Sequence, residues 1–143
     1  MRTVIKDKNA LLILLICCLV SRILTTIYYI EDTDSLRFAL SITDYDITKL
    51  QPHFPGYPVY CFLAKILYFF TKSFAVTFSI LGGVAVFYII YFLLKILEIN
   101  LESVSGLLLS GIVFFNPLLW LMSNRYMPDL FGLALAISSF YFL

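Results

Sequence analysis

Asp32, Asp34, His53, Arg125 and Asp129 are the side chains of this chain best suited to moving a proton or holding a phosphate, and Arg22 joins them as a cation inside an apolar run. A carboxylate beside a hydroxyl can take its proton as the oxygen attacks. An arginine fork matches a phosphate in a way that a lysine point charge does not. Displacing a lipid phosphate needs both: a base near the attacking hydroxyl and positive charge near the leaving group. Asp32, Asp34 and His53 share one stretch, Glu31–Tyr60, EDTDSLRFALSITDYDITKLQPHFPGYPVY, which carries five of the nine carboxylates and the only histidine. Each residue also has a plainer reading. Asp34 suits the cap of a helix, Asp32 a solvated loop charge, and Arg22 snorkelling toward a membrane surface. Arg125 and Asp129 are spaced to pair with each other at i, i+4. His53 suits a structural hydrogen bond in a proline-rich turn. Asp44 and Asp46 read as turn residues.

Around this polar stretch the chain is oily, with 62% hydrophobic and only 13% charged residues over 143 positions. A soluble domain carries about 25% charge, so this composition belongs in a bilayer. A net charge of +1 and no basic cluster among aromatics give no reason to expect nucleic acid. One histidine with scattered aspartates makes no metal motif, and no glycine-rich phosphate loop is present. Cys17, Cys18 and Cys61 lack metal spacing and read as packing residues.

The elements that position these side chains follow from hydropathy. Residues 10–30 form an apolar run broken only by Arg22, and roughly 20 helical residues cross a bilayer core. Arg2, Lys6 and Lys8 before it keep the N-terminus cytoplasmic. The polar stretch then lies outside. Within it Thr33-Asp34-Ser35 opens a short helix over about 34–43, with Leu36, Ala39, Leu40 and Thr43 on one face. Pro52-His53-Phe54-Pro55-Gly56-Tyr57-Pro58 is a stiff turn, and Pro58 suits the first turn of the next helix. That helix, about 57–71, is too short to span and carries Lys65 at its middle, so it reads as interfacial. Further spans are expected at about 74–95, 104–122 and 129–143, with Pro117 bending the third near its end. This count puts Asn124, Arg125 and Asp129 on the same side as Asp34 and His53, where both polar clusters can share a pocket. Lys95 then lies inside. Ser79-x-x-x-Gly83 and Gly106-x-x-x-Ser110 allow close helix packing. The fold class expected is all-α: a multi-pass transmembrane helical protein whose first outer loop contains short interfacial helices. The last helix has no polar flank at Leu143, so the chain reads as the N-terminal part of a longer polytopic protein.

The order of these features resembles the N-terminal region of GT-C-type membrane glycosyltransferases. The relatives are the dolichyl-phosphate-mannose–protein mannosyltransferase-like group and the bacterial lipopolysaccharide-sugar transferases. The residues that carry the resemblance are Arg22, the Asp32/Asp34 pair, the Pro52–Pro58 turn, Asn116-Pro117-Leu118-Leu119-Trp120, and Arg125-x-x-x-Asp129. Phe54 departs from the more usual His-Pro-Pro. The resemblance implies a polyprenyl-phosphate sugar donor and an acceptor that is a lipid, glycan or protein, with transfer on the extracytoplasmic side. It implies Asp34 as base with Asp32 beside it, Asp129 as a second acidic position, and Arg22 and Arg125 as cations near the donor phosphate. His53 joins them on the donor or acceptor. No cofactor follows with certainty, and a divalent metal is left open. The partners are the donor, membrane lipids and further transmembrane helices beyond this chain. A polytopic transporter, with Arg22 and the carboxylates along its path, or a non-catalytic assembly subunit, is the alternative.

Overall fold

The computed structural model describes residues 8–143; Arg2 and Lys6 of the basic flank lie outside them. Over these residues the chain is all-helical, with one isolated bridge between Asp46 and Gln51. Seven α-helices follow in order: α1 Lys8–Leu24, α2 Thr33–Thr43, α3 Pro58–Thr71, α4 Phe74–Ile96, α5 Val104–Phe114, α6 Pro117–Met122 and α7 Asp129–Phe142. A 3-10 turn, Ile47–Lys49, sits between α2 and α3.

The helix ends have local causes, and two differ from the hydropathy reading. Helix α1 stops at Leu24, although the apolar run continues to Ile30. Thr25 and Thr26 turn their hydroxyls back onto the carbonyls of Ser21 and Ile23, at 2.9 and 2.8 Å, competing with further helical turns. The carbonyls of Thr25 and Ile27 are then taken by Asn124 and Tyr126 from the far part of the chain. The run expected over 104–122 is broken outright rather than bent. Pro117 disfavours helix at Asn116, and Asn116 instead caps α6, its Oδ1 accepting from Leu118 N and Leu119 N at 3.0 and 3.1 Å. At the start of α3, Pro58 fills the first turn, where no amide is needed. Before it Gly56 has φ +87°, and a Cβ there would also meet Ile47 Cδ1 and Tyr45 Oη at 2.9 Å, so glycine is required twice over.

Helix α4 is the axis of the molecule. It packs on α1, α3, α5 and α7. Helix α1 runs antiparallel to it: Cys18 and Leu19 lie against Gly83, and Thr26 reaches Ser79 at 3.0 Å. Helix α7 runs parallel to it, since Tyr126 stacks on Phe78 before the helix begins and Tyr141 meets Phe92 near its end. One apolar cluster along α4 joins Cys18, Val86, Ile90, Leu94, Val113, Leu130 and Ala134. A second, around its first residues, joins Phe38 and Ile42 of α2, Tyr60 and Ala64 of α3, Phe78, and Tyr126. The closest approach on α4 is at Gly82, where a Cβ would stand 1.7 Å from the carbonyl oxygen of Ser123. Of the described helices, Phe74–Ile96 alone is both long and apolar enough to cross a membrane; α3, α5 and α7 are apolar but shorter.

Helix α2 keeps Leu36 and Leu40 of its expected apolar face outward and buries Ala39 together with the adjacent face. Ser35, Phe38, Ala39 and Ile42 point inward, while Leu36 and Leu40 stand 40% and 37% exposed. Both sets have helical spacing. The choice falls to the one that brings Phe38 against His53, Tyr57 and Tyr60.

Candidate functional site

Two loops far apart in sequence meet at one end of the bundle. Residues 123–128, between α6 and α7, lie against residues 25–32, between α1 and α2. Asn124 donates to Thr25 O and Thr25 Oγ1 at 3.0 and 2.9 Å, and Tyr126 Oη donates to Ile27 O at 2.9 Å. Arg125 reaches two carboxylates: its Nε stands 3.0 Å from Glu31 Oε2, and its other end holds Asp32 Oδ2. On the third side Tyr60 Oη donates to Met127 O at 2.8 Å, which fixes the start of α3 to the same loop.

Asp32, not Asp34, caps α2. Its Oδ1 accepts from Ser35 N at 2.7 Å. That amide, together with the Arg125 guanidinium, holds the Asp32 carboxyl below the usual range, against a smaller opposing effect of burial. Asp32 is therefore engaged twice, as cap and as ion-pair partner, and suits positioning more than proton transfer.

Asp34 sits in the first turn of α2 with its side chain 44% exposed. Its Oδ1 lies 3.2 Å from Arg37 Nη1 and 3.6 Å from His53 Nδ1. The second distance is slightly longer than a hydrogen bond, and His53 Nδ1 has no other partner. The imidazole is held edge-on to Phe38 and Tyr57, with ring centroids 5.3 and 5.9 Å away. Below it Gly56 N closes the turn onto His53 O at 3.0 Å. A carboxylate, an imidazole and a guanidinium thus converge on an accessible surface. This set can accept a proton and hold an anion. Arg37 and Glu31 were not singled out by sequence. The i, i+3 spacing of Asp34 and Arg37 was the available signal for the first; Glu31 had none.

The remaining site residues lie apart. Asp129 opens α7 exposed to solvent and makes no ion pair among the described residues. The expected i, i+4 pair with Arg125 does not form, because residues 123–128 are not helical and Arg125 turns toward Glu31 and Asp32 instead. Arg22 is fully buried. Its Nη2 donates to Phe114 O at 3.2 Å, and its guanidinium stacks on Trp120 at 3.8 Å from the ring centroid. It thus ties α1 to the α5–α6 break rather than joining the Glu31–Asp32 loop to the Arg125 loop. Nor do those loops enclose a shared pocket: the spaces beside Arg125 hold about 10 Å³ or less. They form a packed seam, whereas the Asp34 side chain is 44% exposed. A divalent metal does not fit these residues. Arg125 occupies Glu31 and Asp32, and among the described residues no three His, Cys, Asp or Glu side chains gather.

Compared with known protein families, with curated proteins and with solved structures, the chain finds no match.

Proposed function

We propose that this chain belongs to a multi-pass membrane glycosyltransferase of GT-C type. It would move a sugar from a polyprenyl-phosphate donor to a hydroxyl acceptor at the extracytoplasmic face, with the N-terminus in the cytoplasm. The observation that carries this reading is the Asp34–His53–Arg37 group beside the Arg125 seam. Proton acceptor and cations lie together at one end of an apolar helical bundle, the end at which α4, the helix long enough to cross a membrane, begins. A transporter needs polar groups along a path through the bundle; the ion pairs here gather at the loop end.

In the proposed step the acceptor oxygen attacks the anomeric carbon. Asp34 takes the hydroxyl proton, with His53 as its orienting neighbour. The bond from the anomeric carbon to the phosphate oxygen breaks, and the electron pair leaves with the polyprenyl phosphate. Arg37 is the nearest guanidinium to Asp34, and it meets the negative charge that grows on that oxygen. Asp32 and Arg125 keep the start of α2 in register with the α6–α7 loop.

The test is transfer of labelled sugar from a polyprenyl phosphate in membranes carrying the protein. Asp34→Asn should lower turnover by roughly 10²–10⁴-fold at matched expression. Near-normal turnover in that variant overturns the reading of Asp34 as base.

A further inference from the structure

A groove between α2 and α3 lies apart from the Asp34–His53–Arg37 group. It has a volume of about 360 Å³ and is lined by Ser41, Tyr45, Pro58, Cys61, Phe62 and Lys65. That size and lining match a site for a small apolar ligand with one polar anchor. The polar groups in its wall are mostly occupied. Ser41 Oγ donates to Phe38 O at 2.7 Å, and Tyr45 Oη donates to Gly56 O at 3.0 Å. Lys65 differs. Arg37, Lys49 and Arg125 each hold a carboxylate, whereas Lys65 has none within salt-bridge distance. It stands exposed in the middle of α3, among outward-facing Phe62, Ile66 and Phe69.

Within a bilayer, an ammonium amid exposed aromatic and aliphatic side chains is stabilised by an anion at the level of those rings. Lipid phosphate supplies that anion, and the groove beside it accepts chain carbons rather than water. We infer that this groove binds one acyl chain of an anionic glycerophospholipid of the outer leaflet, with Lys65 on its phosphate and headgroup. The inference rests on the membrane placement proposed above and not on the transfer chemistry.

The experiment uses the whole chain reconstituted in vesicles of phosphatidylcholine alone or with phosphatidylglycerol, followed by native mass spectrometry of the retained lipid. Wild type should retain phosphatidylglycerol over phosphatidylcholine, and Lys65→Glu should lower that preference by about fivefold or more. Lys65→Arg should keep it. So should Lys72→Ala, because Lys72 stands at the end of α3 over the Phe69 ring and away from the groove. Both Lys65 and Lys72 variants are surface changes, and circular dichroism checks that each remains helical. An unchanged preference in Lys65→Glu overturns the inference, as does displacement of the phospholipid by equimolar polyprenyl phosphate. Failure of the wild type to enter phosphatidylcholine vesicles overturns the membrane placement itself, which separates the two failures.

Discussion

Asp32 and Asp34 are two residues apart and do different things. Sequence alone favoured Asp34 as the cap of α2, because Asp32, Thr33, Asp34 and Ser35 crowd that turn and any of them could serve. The choice is made by Arg125, 93 residues away, which draws Asp32 into the cap position. The two roles separate by substitution. Asp32→Ala should destabilise the protein by about 1 kcal/mol through the lost cap alone, measured by thermal unfolding in detergent. Asp32→Asn should keep most of the cap and lose the ion pair. The pH dependence has a definite sign. The folded carboxyl of Asp32 titrates below its unfolded value, so its contribution is complete above about pH 4. It is lost as pH falls through the folded value. Asp32→Asn should therefore flatten the acid side of the stability profile below about pH 4 and lower stability by a constant amount near neutrality. A profile with the same acid slope in both proteins would remove the Ser35–Arg125 account of that carboxyl.

At the scale of elements, the short helices α2 and α3 were legible from capping, proline and charge, and they begin and end within a residue or two of expectation. The ends of α1 and α5 were not. Apolar content ran on through residues 25–30 and 115–122, but backbone bonding did not. Thr hydroxyls, Asn116 and distant partners for Thr25 O and Ile27 O set those boundaries. Hydropathy cannot report where a carbonyl finds its donor. The inward face of α2 was not fixed by period either: Leu36 and Leu40 match the helical spacing as well as Phe38 and Ile42 do. Packing on α4 gives a sharper test. Gly82→Ala would drive a Cβ into the Ser123 carbonyl and should cost about 1–3 kcal/mol, with loosening of the Arg125 seam. Gly111→Ala, in α5 with nothing within 4 Å, should be neutral or stabilising by up to about 1 kcal/mol. Comparable melting losses in the two variants would contradict the close α4–loop contact. Asn116→Ala should cost about 1 kcal/mol by removing both acceptors at the start of α6.

For the whole molecule, the antiparallel order of α1 and α4 and the parallel order of α4 and α7 set both polar loops at one end and the Leu97–Ser103 turn at the other. Single cysteines at positions 34, 53 and 125, in a background without Cys17, Cys18 and Cys61, should all react with an impermeant reagent on intact cells. A cysteine at position 95 should react only after lysis. Opposite labelling of positions 34 and 125 would defeat the proposed topology. That both polar clusters come to one end could be reasoned from helix lengths, whereas the identity of the pairs could not. The seam also has a history in time. Its acidic half is made early: Asp32 precedes Arg125 by 93 residues, and Glu31 comes just before it. At ribosomal rates of about 5–20 residues per second, those carboxylates exist for roughly 5–20 s without their cation. During that interval α2 can cap itself through Ser35 and pack on α3 through Phe38, but its first turn is not yet tied to the α6–α7 loop. A chain arrested anywhere between Ile96 and Asn124 would therefore contain Asp34 and His53 and still lack the clamp that aims them.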